Sequence, residues 1–206
     1  MLFKESGLLR ALKAAHKQGY EIIPNGERVT ICTKNWAIEA DAADLPLKMS
    51  LEIVEHAGYM PTSTPVRVCK GCTNQTLFAE AARVRMSDID TGSRGDWEAM
   101  TAIPIIFRNC WQLFVTESKE VFAFDTELLD IMDTEKVTPS AMMRTGYIPA
   151  GVFELGGSFL MVAPGGFSTV DAMKLVAIAN LEWDLNRAYG DPTENLSLFD
   201  DMEEDE

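Results

Sequence analysis

Histidine is scarce in this chain of 206 residues: His16 and His56 are the whole supply. A histidine-based triad or a multi-histidine metal centre has little to draw on. Cysteine is also sparse. Cys32, Cys69, Cys72 and Cys110 are too few and too scattered for a disulfide scaffold, which a reducing compartment would in any case disfavour. No apolar run approaches the roughly 18 residues needed to cross a bilayer. The opening stretch MLFKESGLLRALKAAHKQGY carries Glu5 and lacks the unbroken apolar block of a signal peptide. A cytoplasmic location is the expectation. Bases are outnumbered, 18 Lys and Arg against 32 Asp and Glu, for a net charge of −14. That balance argues against a body that grips phosphate backbones through a broad basic face.

What is present is a globular composition, 47% apolar and 24% charged. The acid is unevenly spread. Asp191, Glu194, Asp200, Asp201, Glu203, Glu204, Asp205 and Glu206 lie in the last stretch, which has no base. Setting aside those eight leaves 24 acids against 18 bases, or −6 for residues 1–190. The expected organisation is one α+β domain over 1–190, with a subdomain joint near 59–65 (YMPTSTP). An acidic, flexible tail over 191–206 follows it.

Hydrophobic spacing predicts a helix over residues 4–18 from Leu8, Leu9, Leu12 and Ala15. Asn25-Gly26 predicts a hairpin turn, and NWAIEA a third strand. A helix follows in DLPLKMSLEIVEHAG, with Asp44 as candidate cap, Pro46 near the first turn and Gly58 as the stop. VRVC, AIPIIF, WQLFVTES and EVFAFDT read as strands, ELLDIMD as a short helix, and DIDTGSRGDW as a loop. NQTLFAEAARVRM fits helix or strand. GVFELGGSFLMVAPGG predicts a second hairpin, turning at Gly156-Gly157. Residues 169–188, capped by Ser168, are expected to form one long C-terminal helix. The fold class expected is therefore α+β: antiparallel hairpins and sheet with flanking helices.

Several motifs invite chemistry. Cys69 and Cys72, in CKGC, have the spacing of half a zinc site or a redox pair, but a second ligand pair is missing. Plain turn cysteines are the stronger reading, and neither metal nor cofactor is expected. Glu117-Ser118-Lys119 resembles the ExK half of a metal-dependent nuclease site, with Asp96 upstream. The same three residues, lying between two strands, also make an ordinary turn. APGGFST places glycines before a helix N-terminus, where free N–H groups can hold phosphate; its spacing matches neither the P-loop nor the dinucleotide fingerprint, and a strand-to-helix turn with a Ser cap is the stronger reading. Phe107, Trp111, Phe114, Phe122 and Phe124 are not interleaved with Arg or Lys, so they read as core rather than as a base-stacking platform. No residue is assigned to catalysis.

The tail holds the most specific pattern. Asn195-Leu196-Ser197-Leu198-Phe199 resembles the short peptide by which bacterial replication and repair proteins bind the DNA sliding clamp. Its usual form is Gln, Leu, Ser or Asp, Leu, Phe, so the last four positions fit and Asn195 stands in for the amide. The resemblance implies that Leu198 and Phe199 fill an apolar pocket, that Leu196 flanks it and that Asn195 makes the amide contact. The same three apolar residues could instead fold back on the protein as a latch. Residues 1–190 carry no family resemblance. Three functions are expected in turn. The first is a non-enzymatic interaction protein of bacterial or phage DNA metabolism, partnered by the clamp, with no direct nucleic-acid or membrane contact. The alternatives are an acidic DNA mimic that inhibits a nucleic-acid-binding protein, and a metal-dependent nuclease.

Overall fold

The computed structural model describes residues 3–77, 97–107, 110–133, 141–143 and 150–166. One compact unit spans Met1–Gly166, and a second, Phe167–Glu206, lies outside the described residues. The long helix expected over 169–188 lies there too.

Helix α1 (Glu5–His16) leads into strands β1 (Tyr20–Asn25), β2 (Arg28–Cys32) and β3 (Trp36–Asp41). A single 3-10 turn and helix α2 (Leu47–Ala57) follow, then β4 (Val66–Val68) and β5 (Gln75–Thr76). The remaining described elements are β6 (Trp97–Phe107), β7 (Trp111–Thr116), β8 (Val121–Asp125), α3 (Thr126–Leu129), β9 (Ala141–Met143), β10 (Ala150–Leu155) and β11 (Ser158–Val162). The strands hydrogen-bond in the order β5-β4-β1-β2-β3-β11-β10-β9-β6-β7-β8, and every pairing is antiparallel. This is the α+β class expected, with flanking helices. No helix among the described residues is long and apolar enough to cross a membrane.

Alternation in the strands sets the core. Val66 pairs with Ile22, Ile22 with Ile31, Ile31 with Ile38, Ile38 with Leu160, and Leu160 with Phe153. All six side chains are buried. One apolar row therefore crosses six strands, because side chains two residues apart share a face. Leu8, Ala11 and Leu12 of α1, and Met49, Ile53 and Ala57 of α2, belong to the same cluster. Gly7 lies against the carbonyl of Asp130, where a Cβ would collide. That approach seats α1 on the segment after α3, as do Lys4 N–H donating to Ile131 C=O (3.0 Å) and the Phe3–Met132 bridge.

Local chemistry shifts some boundaries. Asn25 pairs with Arg28, so the first turn is Gly26-Glu27, one residue later than expected. Of those two only Gly26 has a positive φ, +64°, which is the requirement of a turn with glycine first. The second hairpin turns at Gly156-Gly157 as expected, both at positive φ, with Leu155 opposite Ser158. Pro46, not Asp44, is the N-cap of α2, and it offers no side-chain acceptor. Asp125 does cap α3, accepting from the N–H of Glu127 at 2.8 Å. Strand β6 begins at Trp97, inside the stretch expected to be loop. Its register against β7 shifts between Ala102 and Ile106. Pro104 lies in that interval and has no N–H for the ladder. The Gln112 side chain donates to the freed carbonyl of Ile103.

Candidate functional site

Both histidines of the chain meet at the junction of α1, β1 and α2. Their rings stack with centroids 3.6 Å apart and planes 25° apart. The Tyr20 hydroxyl lies 3.0 Å from His56 Nδ1, and His56 Nε2 lies 3.1 Å from Glu52 Oε1 one helical turn back. Lys13 Nζ reaches the other oxygen of Glu52 at 3.2 Å. The hydrogen bonds are consistent with an Nε2–H donating to the carboxylate and Nδ1 accepting from the phenol. Burial, with the Glu52 carboxylate adding to it, pushes the Tyr20 phenol well above its ordinary range. Burial lowers His16, and the neighbouring His56 and Lys70 add to that, against the opposing pull of Glu52 and Glu55.

A Tyr–His–Glu relay has the form of an activated nucleophile. Here the phenol is 1% exposed, so no substrate reaches it. The relay is a polar brace from β1 to α2.

The CKGC turn packs beside this brace. Lys70 N–H donates to the carbonyl of His16 at 2.9 Å, at the C-terminus of α1. The Asn74 side chain donates to the carbonyl of Ala57 at 2.8 Å, at the C-terminus of α2. One loop thus satisfies carbonyls at two helix ends that lack partners within their helices. Gly71, at φ +75°, allows the tight reversal in which Cys72 N–H donates to Cys69 C=O. Both thiols point at the Lys70 carbonyl, each at 3.9 Å. The side-chain hydrogen bond with Cys72, in which the Cys69 thiol is the donor, raises Cys69 above its ordinary value. Among the described residues no group of three or more His, Cys, Asp or Glu side chains is placed to share a metal ion. Cys32 and Cys110 are free thiols; burial, then Glu21 and Glu39, push Cys32 up to about 11.

Two other motifs resolve locally. Glu117 and Ser118 form the turn between β7 and β8, and Lys119 follows them at a positive φ of 68°. Asp96 lies outside the described residues. Gly165 packs on the Trp111 ring, and its N–H donates to Ala123 C=O at 2.9 Å, so that N–H is not free for phosphate. Phe114 and Phe124 are buried, and with Phe153 they form a set of near-perpendicular contacts at 5.4–6.0 Å. A cavity of about 200 Å³ lies beside α1, with Arg10, Lys34, Asp125 and Glu127 among its lining residues. Its lining holds no imidazole or thiol.

The surface feature with the strongest physical signal is α2. Met49, Ile53 and Ala57 face the core, while Leu47 (72% exposed), Leu51 (59%) and Val54 (39%) form a second apolar stripe at i, i+4, i+7. Tyr59, just past the helix, is 51% exposed. A surface helix ordinarily carries one apolar stripe. Two stripes on one short helix is a pattern readable from LPLKMSLEIVEHAGY by the spacing of Leu47, Leu51 and Val54 against Met49, Ile53 and Ala57.

Comparison with solved structures gives a faint likeness to bacterial sliding clamps. A putative DNA polymerase III beta subunit from Eubacterium rectale is 10% identical, over 84% of this chain and 67% of that one, with a TM-score of 0.33. The DnaN sliding clamp from Bartonella birtlesii, solved bound to griselimycin, is 9% identical over 82% and 66%, with a TM-score of 0.34. The C. crescentus beta sliding clamp is 13% identical over 84% and 67%, with a TM-score of 0.33. No family model and no curated protein matches the chain. The chain spans about two thirds of the length of these clamps. The expectation that only residues 195–199 resemble a known family is corrected to this extent: the matches to these sliding clamps extend over 82–84% of the chain. The sequence could not reveal this, because identity is at most 13% in these comparisons. Asn195, Leu196, Leu198 and Phe199 lie outside the described residues.

Proposed function

We propose that this chain is a non-enzymatic interaction protein of bacterial or phage DNA metabolism, and that it engages the DNA sliding clamp through Asn195, Leu196, Leu198 and Phe199. The observation that carries the reading is the four-position match of Leu196-Ser197-Leu198-Phe199 to the clamp-binding peptide, set among acids. Peptides of this kind bind through a few apolar anchors in a groove, with an amide for orientation. Leu198 and Phe199 are the anchors. Asn195 reaches one methylene less far than glutamine, so its contact contributes least.

Calorimetry of the full chain against a purified bacterial sliding clamp tests this. Binding should be measurable in the micromolar range and should be lost in a Leu198→Ala/Phe199→Ala variant, since buried anchors of this kind are worth about 2 kcal/mol or more each. Replacing Glu203, Glu204, Asp205 and Glu206 with neutral residues should change affinity little, because peripheral charges act mainly on the association rate. No detectable heat at high micromolar concentration would end the clamp reading.

A further inference from the structure

We propose that the outer face of α2 is a contact between two copies of this chain, packed antiparallel across a two-fold axis. This goes beyond the clamp reading and does not depend on it.

Leu47, Leu51 and Val54 form a stripe with Leu51 near its middle, and their exposure marks it as surface that the described residues leave uncovered. An interface across a two-fold axis uses the same patch on both copies, so the patch must complement itself when reversed. The charges beside the stripe meet that condition. At about 100° per residue, Lys48 and Glu55 fall on the same flank of α2, one toward each end. An antiparallel pair centred near Leu51 sets Lys48 opposite Glu55 of the second copy, and Glu55 opposite Lys48 of the second copy. A parallel two-fold pair would instead set this charged flank against the Ser50 flank of the second copy, leaving Lys48 and Glu55 without each other. Lys48 is 68% exposed and Glu55 is exposed, so both can reach across. Lys48 also holds Glu5 of its own α1 at 2.5 Å, and an ammonium has donors for both carboxylates. On the other flank Ser50 is small, which permits close approach of the helices. Apolar patches on monomers run to about 300–600 Å², against roughly 800 Å² per partner in a standard interface. The contact is therefore short, and the dimer it supports dissociates in the micromolar range.

Sedimentation equilibrium of the full chain in about 0.15 M salt, where repulsion between two acidic copies is screened, gives the test. At roughly 100 µM, well above a micromolar dissociation constant, the mass should approach twice 22.8 kDa. Leu51→Glu should return the chain to 22.8 kDa with an unchanged circular-dichroism spectrum, because Leu51 is outside the core. Glu55→Lys should weaken dimerisation about tenfold, and adding Lys48→Glu to it should restore affinity to within about twofold, the recovery that a pairwise contact gives. A monomer at all concentrations overturns the proposal and leaves the stripe to a different partner. A dimer indifferent to Leu51→Glu overturns it by placing the contact elsewhere. Failure of the double charge reversal to recover affinity overturns the antiparallel register.

Discussion

Tyr20 and His16 show how two ordinary residues acquire unusual titration from burial and from the charges packed beside them. Tyr20 is sealed in the core, where its hydroxyl has one hydrogen-bonding partner, the His56 ring. Replacing it with phenylalanine removes the phenol and leaves Nδ1 without its partner, at a cost of about 1 kcal/mol. The pH dependence follows from the directions of the shifts. The folded phenol titrates above 10.0, so as pH rises past 10.0 the unfolded chain loses its proton first and stability falls. His16 titrates below 6.5 when folded, so as pH falls past 6.5 the unfolded chain binds the proton first. Stability from His16 is complete above that value and declines on acidification. Thermal unfolding followed across pH should therefore show an alkaline limb that Tyr20→Phe flattens above pH 10.0 and an acid limb that His16→Asn flattens below pH 6.5. An acid limb unchanged in His16→Asn would assign it to carboxylates elsewhere.

Elements are held by glycines for two different reasons, and substitution separates them. Gly58 ends α2 at φ +83°, with open space where a Cβ would go. Gly58→Ala meets only backbone strain, about 1 kcal/mol for a left-handed residue. Gly151 of β10 has its Cβ position 2.6 Å from Phe124 Cζ. Gly151→Ala must displace the aromatic set, and overpacking of that kind costs about 1–3 kcal/mol. Urea denaturation should rank Gly151→Ala as the more damaging, and Phe124→Leu should partly relieve it while leaving Gly58→Ala unaffected. The hairpin turns and the Gly58 stop were legible in sequence because each depends on two or three adjacent residues. Strand β9 was not, since Ala141-Met142-Met143 has little β preference and is fixed by neighbours on both sides. The Tyr20–His56–Glu52 brace was half legible. The spacing of Glu52 and His56 on one helix face is local, but their meeting with Tyr20 and His16 depends on the docking of separate elements. The clamp-type peptide stands apart: it is readable as a string of adjacent residues.

At the scale of the whole described unit, the sheet has two runs of strands joined at one ladder. Strands β1 to β5 come from residues 20–76, and β6 to β11 from residues 97–162. Strand β3 pairs with β11 at the seam, Trp36 with Val162 through Glu39 with Phe159. No local pattern announces this pairing, because the partners are more than 100 residues apart. A buried charge marks it. Glu39 is 1% exposed and accepts from Arg28 Nε at 2.8 Å. The same guanidinium reaches Asp41 at 3.3 Å and donates from Nη2 to the Gly157 carbonyl at 2.7 Å, in the β10–β11 turn. Arg28 thus ties β2, β3 and the far hairpin together with one planar fork, a geometry that lysine does not reproduce. Removing it breaks the ion pair of the buried Glu39 carboxylate, a change of a kind that costs up to about 3–5 kcal/mol. Arg28→Ala should therefore lower the urea midpoint strongly, and Arg28→Lys should recover only part of the loss. Because the apolar row is continuous from β4 to β10, the two runs should still unfold together in the variant. Tryptophan fluorescence, which samples Trp36 in one run and Trp111 in the other, should coincide with far-ultraviolet circular dichroism. Two separated transitions in Arg28→Ala would show instead that the seam, not the row, carries the cooperativity.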